Sequence, residues 1–174
     1  MITLIAGTNR QNSNTRIITE AYSSLLKSRG LEHDCIFLED LPHDYVFNND
    51  VLGNPSPEFS AIIKEKIIPA DKLVIIAPEY NGGFPGALKA FIDGIWPENL
   101  KHKKAALVGV ASGRAGNLRG LDHMTNVLHY LKVHVFYKKV TISGVDKLIE
   151  EGNLTDTNTL DILNDQVSEF TNWN

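Results

Sequence analysis

The sequence predicts an α/β chain in which one doubly wound, five-stranded parallel sheet lies between two layers of helices. Three observations carry this. Short apolar runs alternate with helix-period segments along the whole chain. Three of those runs end in polar loops rich in Gly, Ser, Asn or Pro, and each loop leads into a helix. No repeat, linker or low-complexity tract divides the 174 residues, a length that suits one domain with a full core.

Taken in order, residues 2–6 are an apolar run suited to a buried parallel strand. Ile18, Ala21, Tyr22 and Leu25 follow at helical spacing, and Gly30 marks the stop. Residues 35–38 read as the second strand, and 39–55, with Pro42, Gly53 and Pro55, as a long loop without a period. Ser56 and Pro57 make a helix start, an N-cap followed by proline in the first turn, and Phe59, Ile62 and Ile63 then share a face. Residues 73–77 are the third strand. The next helix buries Leu88, Phe91, Ile92 and Ile95, while Ala87, Ala90 and Gly94 form a small-residue face open to another helix or a partner subunit. The fourth strand covers 105–111, and a helix over 118–131 carries Leu121, Met124, Leu128 and Leu131 in phase. Residues 133–137 are the fifth strand, and Leu160, Leu163, Val167 and Phe170 lie on a last helix. Five strands alternating with five helices at this size imply a flavodoxin-like fold of strand order 2-1-3-4-5.

Composition removes several function classes. The chain is 43% hydrophobic and 22% charged with a net charge of -4, and its densest basic stretch, Lys101-His102-Lys103-Lys104, reads as a solvated turn. No nucleic-acid or membrane-surface partner is therefore expected. Residues 1–6 are too short for a signal peptide, and no apolar stretch approaches the roughly 20 residues of a membrane span, so a cytoplasmic protein is expected. The lone Cys35 reads as a buried, inert thiol, and a single cysteine fits a reducing compartment. Without an H-x-x-x-H pair, and with His123 and His129 six apart, the six histidines carry no metal expectation. A serine hydrolase is disfavoured because no G-x-S-x-G elbow is present. His43, Asp44, Tyr45, Asn48, Asn49 and Asp50 read as solvated loop residues, and Phe91 and Trp96 as core or interface residues.

The chemistry lies in the loops. In the order 2-1-3-4-5 the C-terminal ends of strands one, three and four cluster at the switch point, so residues 7–15, 78–86 and 112–116 converge on one crevice. The first loop enters a helix N-terminus, where free N–H groups and the helix dipole favour an anion. Thr8, Ser13, Asn14 and Thr15 add short-range donors, and Arg10 supplies a countercharge. The loop is neither a Walker loop nor G-x-G-x-x-G, which disfavours triphosphate chemistry and a clamped dinucleotide. A plain helix start with an exposed Arg10 is the simpler alternative. In the second loop the backbone N–H groups of Asn81, Gly82 and Gly83 suit the edge of a flat heteroaromatic ring, with Tyr80 or Phe84 nearby. A Gly/Pro turn with Pro85 at the first helical position accounts for the spacing equally well. Together the two loops point to a bound flavin.

These residues make the chain recognisable: it resembles the NADPH-dependent FMN reductase family, flavodoxin-like quinone, azo-dye and chromate reductases. The family's first loop, G-S-x-R-x-x-S-x-N, is matched from Gly7 to Thr15 with Thr8 for Ser and Thr15 for Asn. Its second loop, P-E-Y-N-G-[GS]-x-P-G-x-L-K, is matched from Pro78 to Lys89 at every fixed position. The resemblance implies that Thr8, Arg10, Ser13 and Thr15 hold the FMN phosphate and that Pro78, Glu79, Tyr80 and Asn81 border the isoalloxazine. The family's Gly-rich third loop resembles Ser112-Gly113-Arg114-Ala115-Gly116, with Asn117 where a second Gly is common. Asn14, Gly82, Gly83, Ser112 and Gly113 complete the expected cofactor set. Two departures, no Asn after Lys89 and no Trp after Asp93, bear on oligomer contacts. The implied activity is hydride transfer from NADPH or NADH to FMN N5. Electrons then pass to a quinone, azo compound, metal oxyanion or free flavin by ping-pong kinetics, with no catalytic side chain required. Arg10, Arg114 and Arg119 are the cationic candidates for the NADPH phosphates. A homodimer or homotetramer is implied as well. The alternative is a non-catalytic electron carrier or flavin-binding regulatory module, but the T-x-T-G-x-T loop of such carriers is absent.

Overall fold

The structure, a computed structural model, describes residues 1–42, 45 and 55–174. Its elements are β1 (Ile2–Ala6), α1 (Asn14–Ser28), β2 (His33–Phe37) and α2 (Pro57–Ile62), which continues into a wider turn over Ile63–Ile67. Then come β3 (Lys72–Pro78), α3 (Gly86–Asp93), β4 (Lys104–Ala111), α4 (Leu118–Tyr130), β5 (His134–Val135) and β6 (Val140–Ser143). A two-stranded antiparallel hairpin, β7 (Ile149–Glu150) and β8 (Asn153–Leu154), precedes α5 (Thr157–Asn172). The main sheet is parallel with the order β2-β1-β3-β4-β5, and β6 also pairs with β4, so the predicted strand order and fold class hold.

Successive residues of β3 enter opposite cores. Leu73, Ile75 and Ala77 pack with Phe59, Leu88, Phe91, Leu121 and Met124 under α2, α3 and α4. Val74 and Ile76 pack with Ile18, Tyr22, Leu163 and Val167 under α1 and α5. Burial on both faces is why the central strands read as unbroken apolar runs rather than alternations.

Local chemistry sets the helix ends. Ser13 caps α1, its Oγ accepting from the Arg16 N–H at 3.3 Å. At the other end Gly30, at φ 68°, donates to the Lys27 carbonyl while Leu31 donates to that of Leu26, the paired bonds of a Schellman stop. Ser56 caps α2 through the Phe59 N–H at 3.2 Å, and Asp156 caps α5 through the Thr159 N–H at 2.8 Å.

The structure departs from the sequence reading at the sheet edge. The strand predicted over 133–137 is reduced to β5, beside Lys104 and Ala105, and a strand the sequence reading did not place, β6, lies beside Val108 to Ala111. Phe136 turns into the core against Phe170 and Trp173, at ring separations of 5.5 and 5.2 Å, while its N–H still donates to the Ala105 carbonyl at 2.8 Å, and the ladder breaks after it. Buried Gln166 of α5 fills the gap, donating to the Leu107 carbonyl at 3.1 Å and the Lys138 carbonyl at 2.7 Å. The small-residue face of α3 is also closed from within, since a Cβ on Gly94 would lie 2.9 Å from the Phe59 ring. Tyr45 is a core residue rather than a solvated one; it stacks on Phe59 and donates its hydroxyl to the Ala87 carbonyl at 2.9 Å. His43, Asp44, Asn48, Asn49 and Asp50 lie outside the described residues. Phe91 is buried, Trp96 is exposed, and Cys35 is half-buried with its thiol pushed up by burial. No helix among the described residues is long and apolar enough to cross a membrane.

Candidate active site

Because the sheet is parallel, β1, β3, β4 and β6 deliver their following loops to one end of the molecule. Those loops enclose a cavity of about 340 Å³, within the size range of small-molecule sites. The loop after β1 contributes Arg10, Asn12, Ser13, Asn14 and Thr15. The end of β3 adds Pro78, Glu79 and Tyr80, the end of β4 adds Val110, Ala111 and Ser112, and the corner after β6 adds Val145 and Asp146. Eight of the predicted site residues therefore line one cavity: Arg10, Ser13, Asn14, Thr15, Pro78, Glu79, Tyr80 and Ser112.

In the first loop, Asn14 and Thr15 hold the opening positions of α1, where N–H groups have no acceptor within the helix. Arg10 is exposed at the rim. Thr8 differs from the expectation: it is buried and stands outside the lining, with its hydroxyl 2.7 Å from that of Tyr80. It also accepts from the Arg10 N–H at 3.2 Å, so Thr8 ties the first loop to the second.

The second loop continues the sheet before it turns. Glu79 donates its N–H to the Val110 carbonyl at 2.9 Å. Tyr80 and Gly83 exchange N–H to carbonyl bonds of 2.8 and 3.1 Å around Asn81 and Gly82, whose φ values are 51° and 78°. Positive φ at both central residues defines a tight hairpin turn that Asn-Gly tolerates best, which is the local reason for this dipeptide. Asn81, Gly82 and Gly83 form this turn and do not line the cavity, and the Gly83 N–H is engaged in closing it.

In the third loop Ser112 faces the cavity and Gly113 does not. The Gly113 carbonyl accepts from the Gly144 N–H at 3.2 Å, and the Arg114 carbonyl accepts from the Ser143 hydroxyl at 2.7 Å, which fastens the loop to the corner after β6. Asn117 is fully buried at φ 66°, and its amide donates to the Ala77 and Pro78 carbonyls, both at 2.9 Å. The departure from glycine at this position thus braces the end of β3. Arg114 and Arg119 stand outside the lining.

Sequence reasoning missed Asn12, Val145 and Asp146. The signal for the last two was present: residues 140–143 alternate buried and exposed like a strand, and the loop after a parallel strand opens at the same end of the sheet as its neighbours. Treating 133–137 as the whole fifth strand hid it. The Asp146 carboxylate accepts from the Asn14 amide at 2.7 Å. Hydrogen bonds from Ser112 and Asn14, together with the charge of Arg10, hold its carboxyl below the usual carboxylate range.

This donor set fits FMN. The open end of α1 beside Arg10 and the Ser112 hydroxyl suits a phosphate ester, and Pro78 and the Tyr80 ring give the same cavity surface for a flat ring. Among the described residues no group of three or more His, Cys, Asp and Glu is placed to hold a metal ion.

Known proteins place the chain. The family model for NADPH-dependent FMN reductases matches residues 1–146. An NAD(P)H-dependent FMN reductase of Pseudomonas aeruginosa is 30% identical over 177 residues, spanning 97% of this chain and 92% of that protein. A 2-hydroxy-1,4-benzoquinone reductase of a Burkholderia species is 26% identical, spanning 99% and 94%. Among solved structures, the flavoenzyme NAD(P)H:(acceptor) oxidoreductase FerB of Paracoccus denitrificans superposes with a TM-score of 0.81 at 24% identity, covering 99% of this chain and 95% of its own, which supports the fold. With three loops converging on one cavity and a family match over most of its length, the chain belongs to the NADPH-dependent FMN reductase family, flavin-dependent oxidoreductases that draw on NAD(P)H.

Proposed function

We propose that the protein binds FMN in this cavity and uses NAD(P)H to reduce a small acceptor of the quinone, azo, metal-oxyanion or free-flavin class. The observation that carries this reading is the convergence of the three loops on one cavity with an anion-binding end and a flat aromatic edge. When bound, FMN would supply the redox chemistry, hydride transfer from NAD(P)H to the acceptor in a ping-pong sequence. The side chains bind and orient. Arg10, the N–H groups of Ser13, Asn14 and Thr15 and the Ser112 hydroxyl hold the phosphate. Pro78, Glu79 and Tyr80 border the ring, and the turn of Asn81, Gly82 and Gly83 closes the loop that carries them. The Thr8–Tyr80 bond sets the spacing of the first two loops. Relatives named as quinone reductases and as an NADPH azoreductase support a small organic acceptor.

A homo-oligomer, dimer or tetramer, is part of the proposal. An apolar groove of about 440 Å³ runs between the C-terminal part of α3 and α4, lined by Ile92, Ile95, Val127 and Leu131, and Tyr130 at its edge is 87% exposed.

The test is an absorbance spectrum of protein mixed with FMN and desalted, followed by anaerobic NADPH. Flavin bands that are retained and then bleach are the expected result. Bands that stay unbleached with both NADPH and NADH point to an electron carrier, and a titration showing no flavin binding overturns the reading.

A further inference from the structure

One side chain in the cavity has the wrong sign for a phosphate site. Asp146 sits on a short 3-10 turn, Val145–Lys147, that follows β6 through Gly144. This turn is firmly placed: Val145 is buried, Gly144 is bonded to Gly113, and Ser143 is bonded to Arg114. The carboxylate therefore does not reach the cavity by chance of a loose loop. It accepts at 2.7 Å from the amide of Asn14 at the first position of α1, 132 residues away in sequence. Arg10 is the cation that acts on it, and Glu79 is the other acid on the cavity wall. An amide donor, a hydroxyl, a helix N-terminus and a guanidinium together are what a phosphate requires. Here the amide donor is already engaged by a carboxylate.

We propose that Asp146 is a built-in anion that competes with the phosphate of the cofactor for Asn14, and so sets how tightly the protein retains FMN. The inference rests on the FMN reading above. Bringing a phosphate dianion to this end of the cavity requires Asn14 to exchange partners and places two like charges near each other. The repulsion is worth several-fold in affinity for partly exposed groups a few ångströms apart. Asp146 thereby favours a cofactor that exchanges over one that is permanently held.

The test compares FMN and riboflavin, which share the ring and the ribityl chain and differ in the phosphate. Fluorescence titration of wild type, Asp146→Asn and Asp146→Ala should show FMN binding tightened about tenfold in both variants, with riboflavin binding unchanged. Millimolar inorganic phosphate should raise the melting temperature of the variants more than that of wild type. If both flavins bind more weakly in the variants, Asp146 accepts hydrogen bonds from ribityl hydroxyls and the competition model is overturned. Unchanged FMN affinity overturns it too. If wild type and variants bind neither flavin, the cofactor reading itself fails and the inference falls with it. A wild type that binds FMN therefore separates the two failures.

Discussion

Arg10 and Thr8 lie two positions apart in the same motif and do different things. Arg10 projects at the cavity rim, so its charge is available to a ligand; Thr8 is buried, and its hydroxyl is engaged by Tyr80. Replacing Arg10 by Ala removes a charge-assisted contact, and FMN binding should weaken by about 1.5–3 kcal/mol, the scale of such a bond. Titration of FMN fluorescence checks this, and an unchanged affinity takes Arg10 out of the phosphate site. Asn117 shows the opposite relation between motif and role. It departs from the glycine common in the family, yet keeps the left-handed backbone that glycine serves and adds two bonds to the end of β3. Asn is among the few other residues that enter that conformation at modest cost. Much of the candidate site was legible at this scale, because charged and hydroxyl residues in a loop announce available chemistry. Which hydroxyls face a ligand was not, because that depends on partners distant in sequence, such as Tyr80 for Thr8.

At the scale of elements, the broken edge strand turns on one glutamine. The bend between β5 and β6 would leave the Leu107 and Lys138 carbonyls without ladder partners, and the Gln166 amide supplies both. Gln166→Ala should destabilise the fold by roughly 2–4 kcal/mol, the cost of stranding buried carbonyls together with a small cavity. Urea unfolding measures this; a loss below about 0.5 kcal/mol would assign the bend to Phe136 packing alone. The start of α2 was readable because Ser56 bonds to an N–H three residues away, a local interaction that Ser13 and Asp156 repeat at α1 and α5. The split of β5 from β6 was not, since it depends on Phe136 meeting Phe170 and Trp173 across the layer.

For the molecule as a whole, acid should be the weak side. Asp156 is held below the usual carboxylate range by its bonds to Thr159, and Glu169 by Lys138 and then Tyr137. A depressed native pKa means that the unfolded chain binds the proton more readily. The stabilisation is therefore full above the unfolded pKa near 4 and is lost as pH falls through the lower native value. Melting temperatures should be level from about pH 7 to 5 and decline below about pH 4, less steeply in high salt because these groups are exposed. A level profile down to about pH 3 contradicts this. The groove between α3 and α4, with exposed Tyr130 at its edge and Trp96 nearby in the chain, should be covered in solution by a second copy. Light scattering at micromolar concentration is expected to give at least twice the 19.3 kDa chain mass; a monomer at that concentration excludes the oligomer.

The sequence by itself determined the order of strands and helices, the convergence of three loops on one crevice, and the family. These come from periodicity, capping residues and motifs, all of which act over a few neighbouring positions. Only the tertiary structure decided that Thr8 and Asn117 brace the site, that Gly94 is sealed by Phe59, and that Asp146 enters the cavity from a turn more than a hundred residues beyond Asn14. Each of those outcomes depends on which distant side chain arrives at a given place, and no local pattern encodes that.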